Sequence, residues 1–391
     1  MKKNLAKILC LVLAVMLMVP CFVSCGGDDD IKVPKFSDDT IKIGASGPLT
    51  GGASVYGLAV YNGARLAVSE INAMGGVDGV KLSFEMYDDT HDASKVEQGY
   101  LDLKEAGMQI SLGCVTSGPC LEWSELSKED NIFMITPSAS NDEVPKYSNG
   151  YQMCFADGNQ GKVAAEYVNS LNLNKIGIFY RSDDVYSKGI YDQFMANLND
   201  GITTKVQVCT GKGTDFTTQV NALSDCEFIF MPLYTGDASS FMVQAIGKVP
   251  NGATYYGCDG FDGIESTEGF DISAVPQKVQ MLSHFNSKAT SGAAKDFADK
   301  YVKNFGKDTL NQFGAAAYDC VYAIYEALLD AKEAGKTVDG SVSASAMCEL
   351  LKAEFNGDFT FSGATGTDIK WESTGYVNKG ADAYVIKEAN K

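Results

Sequence analysis

Ile41-Lys42-Ile43-Gly44-Ala45-Ser46-Gly47-Pro48-Leu49-Thr50-Gly51-Gly52 is the stretch that decides the fold. Its first five residues alternate in the way a β-strand requires. The glycine-rich run from Gly47 to Gly52 then turns the chain. Beyond the turn, Leu58, Tyr61, Ala64, Val68 and Ile71 recur at spacings of three and four, which places them on one face of a helix. Gly75-Gly76 ends that helix.

The same unit repeats outward. Leu82, Phe84 and Met86 alternate again, and Val96, Tyr100 and Leu103 form a second helical stripe stopped by Gly107. Met108 to Leu112 reads as a strand, Pro119 opens a helix where its missing N–H costs nothing, and Ile132 to Ile135 is the next strand. The rhythm then restarts. Strands are predicted over 151–155, 175–180, 204–208, 227–231 and 254–257, with helices between them over 161–171, 186–198, 216–223 and 238–246. Two longer helices follow over 293–305 and 312–334. Alternating strands and helices mean parallel sheets covered on both faces, and two such series make an α/β protein of two doubly wound lobes.

In sheets of this kind ligands sit beyond the carboxyl ends of the strands. The first strand is followed by Ser46, Gly47 and, past the glycines, Tyr56. The third is followed by Thr116, Ser117 and Gly118, and the fourth by Thr136, Pro137, Ser138, Ala139 and Ser140. In the second series the strand ends carry Tyr186, Tyr234 and Asp259. Hydroxyls beside helix N-termini suit a carboxylate. An aspartate among tyrosines suits an ammonium, by charge pairing and cation–π contact. A ligand with both charges on one carbon is an α-amino acid. Each residue also has an ordinary structural use: Ser117 or Ser140 as a helix N-cap, Asp259 before Gly260 as a turn former, Tyr56 as a surface residue.

The chain's start adds a compartment. Lys2, Lys3 and Lys7 precede an apolar run of twelve residues, Ile8 to Val19. That is shorter than the roughly 20 residues of a membrane span and has the layout of a secretory signal peptide. Val23-Ser24-Cys25 resembles a bacterial lipobox, so Cys25 is the expected lipidation site and residues 1–24 the leader. Residues 25–40 read as a lipidated tether, rich in Gly, Asp, Lys and Pro.

The formal net charge is −18, and loss of the leader's lysines makes the body more acidic still. That disfavours nucleic acid as a partner. Eight of the eleven cysteines fall in the body without CxxC or zinc-like spacing; both a bridge and buried thiols remain open readings. The chain's two histidines are His91 and His284, and no HExxH, GxSxG, Walker A, GxGxxG or EF-hand pattern occurs. Neither an enzyme nor a cofactor or metal site is expected.

Ile41 to Thr50-Gly51, with Tyr56-Gly57, Asn62-Gly63-Ala64-Arg65-Leu66-Ala67, Glu70-Ile71-Asn72 and Gly75-Gly76, resembles the leucine/isoleucine/valine-binding proteins. These are the solute-binding subunits of branched-chain amino-acid ABC importers. Further matches are Thr116-Ser117-Gly118, Thr136 to Ser140, Gly236, Asp259-Gly260, Tyr318-Asp319 and a closing β segment over 361–371; the similarity runs from about Ile41 to Lys387.

The resemblance implies the type I periplasmic-binding fold: two lobes joined by three crossovers, near Asp157, His284 and Gly363. The first lobe would then be 41–157 plus 285–362, and the second 158–284 plus 363–391. It also implies site roles. Ser117, Ser138, Ala139 and Ser140 would hold the ligand's charged groups, with Tyr186, Tyr234 and Asp259 facing them from the second lobe. Tyr56, Val115, Thr116 and Phe313 would line the side-chain pocket, and Trp123 would either narrow that pocket or belong to the core. The expected function is an extracytoplasmic lipoprotein, working as a monomer, that captures Leu, Ile, Val or another apolar amino acid and delivers it to ABC permease subunits. The alternatives are a related cargo, such as an amide, an aromatic acid or a short peptide, or a ligand sensor for a signalling partner.

Overall fold

The structure, a computed structural model, describes residues 31–377 and 379–390. The leader, Cys25 and the first part of the tether lie outside the described residues. In the first lobe β1 (Thr40–Gly47), α1 (Ser54–Ala73), β2 (Lys81–Asp88), α2 (Val96–Glu105), β3 (Ile110–Cys114), α3 (Ser117–Asp130), β4 (Phe133–Thr136) and β5 (Gly150–Gln152) follow one another. The strands form one sheet in the order β2-β1-β3-β4-β5, every neighbouring pair parallel.

All eight residues of β1 are buried. The strand is therefore not half-exposed, as alternation predicts, because helices cover both faces of a central parallel strand. Lys42 fits there by laying its stem along the core and ending 3.6 Å from Asp38.

The second lobe contains α4 (Asp157–Ser170), β6 (Lys175–Arg181), α5 (Val185–Asn197), β7 (Thr203–Cys209), α6 (Thr217–Leu223), β8 (Phe228–Met231), α7 (Thr235–Ala245), β9 (Thr254–Gly257) and β10 (Lys278–Ser283). The chain then supplies α8 (Gly292–Phe305), α9 (Gln312–Glu333), α10 (Ala344–Phe355), the hairpin β11 (Phe361–Gly363) and β12 (Gly366–Ile369), and β13 (Asp382–Lys387). The second sheet runs β13-β10-β9-β8-β6-β7. It is parallel except for β13, which pairs antiparallel with β10.

Helix α9 returns to the first lobe and lies against α1. A Cβ built at Gly63 would fall 2.0 Å from the Gly314 carbonyl oxygen, so glycine is what lets the two helices approach. Residues of α1, β1, β3, β4, α9 and α10 share one core with Phe361, Ile369, Trp371 and Val377. Trp371 donates its indole N–H to the Gln152 carbonyl at 2.7 Å, and the Ala364 and Thr365 amides donate to the Asp319 carboxylate at 2.8 and 2.7 Å. Segment 363–377 is thereby packed on the first lobe. The last crossing lies after Val377, where the chain leaves for β13, and not near Gly363.

The cysteines of the described chain are eight free thiols, all buried. Trp123 also belongs to the core. Its indole N–H donates to Ser111 Oγ at 2.8 Å and its ring meets Tyr100 edge-on.

Candidate functional site

The carboxyl ends of the two sheets face each other across a cleft, and between them lies a small cavity. Its walls are Tyr56, Val115, Thr116, Ser138, Ser140 and Phe313 from the first lobe, with Tyr186, Tyr234, Asp259 and Gly260 from the second. Nine of these ten positions are ones the sequence singles out; Gly260 is the addition. The strand-end rule explains the convergence: β3 ends before Val115, β4 before Ser138, β8 before Tyr234 and β9 before Asp259.

One end of the cavity is polar. Asp259 is 3 % exposed, and Tyr186 donates its hydroxyl to Asp259 Oδ1 at 2.7 Å. The Gly260 amide donates to the same tyrosine oxygen at 2.8 Å, and the Asp259 amide donates to Gln160 Oε1 at 3.0 Å. Burial pushes the Asp259 carboxyl up to about 6, against the hydrogen bonds of Tyr186, Gln160 and Gly260. Asp157, fully buried at the start of α4, has both oxygens without a hydrogen-bond partner. Burial and the neighbouring Asp259 push it well above the usual carboxylate range. Of the two, Asp259 lines the cavity, and in its ionised form it calls for a cation there.

The other end is apolar. The Tyr56 ring meets Phe313 edge-on at 5.3 Å and Tyr234 at 5.4 Å, and Tyr234 stacks on Tyr186 at 4.6 Å. Val115 completes this wall. Tyr56 also joins the lobes. Its hydroxyl donates to the Gly260 carbonyl at 2.6 Å and accepts from the Thr235 amide at 2.8 Å, so the described conformation is closed.

Two predicted residues stand outside the lining. Ser117 opens α3, but its hydroxyl accepts from the Asn141 amide at 3.3 Å, so its side chain braces the next loop. Ala139 is core: its amide donates to Thr136 Oγ1 and its carbonyl accepts from Gln152. Three residues behind the lining escape the sequence reading, namely Asp157, Gln160 and His91. His91 lies in the loop that follows β2, and the strand-end rule applied to that strand finds it. Gln160 lies inside α4, and Asp157 at that helix's start reads as a crossing point; neither carries a local signal of contact with the site.

The family model described as periplasmic binding protein matches residues 40–376. The chain belongs to the periplasmic binding protein family. A curated relative, a Leu/Ile/Val-binding protein of Rhizobium johnstonii, is 28 % identical over 78 % of this chain and 83 % of its own length. Among solved structures, the branched-chain amino acid transporter substrate binding protein from Streptococcus pneumoniae, in complex with isoleucine, is similar at 25 % identity. Its TM-score is 0.77, over 90 % of this chain and 99 % of that one. A solute binding protein of an ABC transporter from Rhodopseudomonas palustris, in complex with 3,4-dihydroxybenzoic acid, shares the fold with a TM-score of 0.76 at 18 % identity, over 90 % and 94 % of the two chains. As a periplasmic binding protein the chain is a solute-binding module that works outside the cytoplasm. Among its described residues no helix is long and apolar enough to cross a membrane.

Proposed function

We propose that this periplasmic binding protein captures an apolar α-amino acid, with leucine, isoleucine and valine preferred, and delivers it to the permease of an ABC importer. The observation that carries this reading is the polarity of one small cavity. Asp259 stands at one end for the ammonium, and Ser138 and Ser140 supply hydroxyls for the carboxylate. Tyr56, Val115 and Phe313 offer an apolar wall for the side chain. The relative named for Leu, Ile and Val and the isoleucine complex point the same way.

A monocarboxylate without an ammonium, such as the dihydroxybenzoate held by the Rhodopseudomonas protein, would bring a second negative group beside the buried Asp259 carboxyl. That argues against aromatic acids as the cargo here. The protein would act as a monomer, tethered by lipid on Cys25. Replacing Cys25→Ser should release it from the membrane fraction and abolish fatty-acid labelling; retained label would refute the anchor.

The test of cargo is a thermal-shift screen against the twenty amino acids, amides and aromatic acids. A ligand at 100 times its dissociation constant stabilises the native state by about 2.7 kcal/mol. Stabilisation by leucine, isoleucine and valine supports the reading. Stabilisation by aromatic acids or amides alone would overturn it.

A further inference from the structure

A second, larger cavity of about 650 Å³ opens at the mouth of the cleft. It shares Tyr234 with the ligand cavity, and its walls include His91, Arg181, Asp184 and Asp237. His91 stands between the two. Its Nδ1 lies 2.9 Å from Thr116 Oγ1, and its ring meets Tyr234 edge-on with centroids 5.1 Å apart. Thr116 and Tyr234 are both walls of the ligand cavity. They border its apolar end, since Thr116 follows Val115 and the Tyr234 ring leans on Tyr56. The imidazole thus stands behind Thr116 and Tyr234, on the outer-cavity side of that wall.

The backbone is bent to put it there. Thr90 and His91 have φ of 53° and 62°, a left-handed conformation that is uncommon for non-glycine residues and unfavourable for a β-branched one. Carboxylates pin the turn: Asp88 Oδ1 accepts from the Thr90 amide at 3.0 Å and Asp89 Oδ1 from the His91 amide at 2.8 Å. Asp89 is itself fixed by the Ser46 hydroxyl at 2.8 Å. Strain that the surroundings enforce is a pointer to function. In the outer cavity Arg181 is held by Asp237, Nε to Oδ2 at 2.7 Å, whereas His91 contacts two walls of the inner cavity.

We propose that His91 is a specificity-determining residue, a partition that sets how far the ligand side chain can extend. The inference rests on the amino-acid reading of the cavity. Side chains of leucine's reach end at the imidazole. Longer ones strike it, and would pass into the outer cavity if it were absent.

The test compares leucine with its straight-chain isomer norleucine, which has the same atoms but a longer reach, and with phenylalanine. Calorimetric titrations would use the parent protein, His91→Gly, which relieves the positive φ, and His91→Asn, a residue tolerant of that conformation. Melting curves would verify folding of each. The preference for leucine over norleucine and phenylalanine should fall at least about tenfold in both variants, the scale on which apolar pockets discriminate by a methylene. An unchanged preference, or an equal loss for every ligand, would overturn the partition while leaving the amino-acid reading intact. A parent protein that binds no apolar amino acid would overturn both.

Discussion

Tyr56 of the first lobe donates its hydroxyl to the carbonyl of Gly260 in the second at 2.6 Å, directly beside the carboxylate of Asp259. The same oxygen accepts from the amide of Thr235, the first residue of a second-lobe helix. One phenol therefore joins the lobes, lines the ligand cavity and satisfies two backbone groups that closure would otherwise bury alone.

Tyr56→Phe tests that coupling. It leaves the Gly260 carbonyl and the Thr235 amide without their partner only in the closed form. A buried polar group left unsatisfied costs about 1–3 kcal/mol. Ligand affinity should fall by roughly five- to a hundredfold at about 1.4 kcal/mol per tenfold, with the loss seen chiefly as faster ligand release in stopped-flow. Unchanged release would show that this bond does not hold the lobes together.

Asp259→Ala removes the carboxylate proposed to pair with the ligand ammonium. Breaking a buried charge pair costs roughly 3–5 kcal/mol, so affinity should drop by a factor on the order of a hundred to a few thousand. Ser117→Ala, whose hydroxyl braces Asn141 and does not line the cavity, should cost about 1 kcal/mol or less. Calorimetry on both variants checks the order, and a larger loss for Ser117→Ala would reverse the assignment.

The pH dependence follows from burial. Asp259 is pushed up to about 6 and Asp262 to about 7, burial being the main cause in each, against about 3.9 for an unfolded aspartate. In this closed conformation the folded protein thus holds more protons than the unfolded chain between about pH 4 and 7. Its stability should fall as pH rises through that window, and melting curves should show a higher midpoint near pH 5 than near pH 8. Ligand affinity should move the other way. An ammonium needs Asp259 ionised, so binding should weaken by up to about tenfold per pH unit below 6. Asp259→Asn should flatten that limb.

Gly63→Ala probes the fold. Its Cβ would lie 2.0 Å from the Gly314 carbonyl oxygen, a backbone atom that cannot turn aside. Overpacking of this kind costs about 1–3 kcal/mol, which denaturant titration of the ligand-free protein would detect.

Much of this molecule is legible in the chain, for physical reasons that differ by element. The stretch from Ile41 to Gly52 announces strand and turn, and its helix shows the stripe from Leu58 to Ile71, because amphipathic packing imposes a period. Lys278–Ser283 and Asp382–Lys387 escape notice. The first mixes polar and apolar residues without alternation, and the second is an edge strand buried only in part. The third crossing is misplaced because Gly363 looks like a break. What fixes that segment is distant, in Asp319 and Gln152. The site follows the same division. Residues next to strand ends converge as topology requires, whereas Gln160 reaches Asp259 from 99 positions away and no local pattern records it.

The central claim is that one cavity recognises an ammonium, a carboxylate and a branched apolar side chain together. Calorimetric titration with leucine, with 4-methylpentanoate lacking the amino group, and with 3-methylbutylamine lacking the carboxylate tests it directly. Leucine should bind, and each truncated analogue should bind at least about a hundredfold more weakly, since either loss leaves buried charged groups unpaired. Binding of 4-methylpentanoate as tight as that of leucine would contradict the account, because Asp259 would then not face a cation.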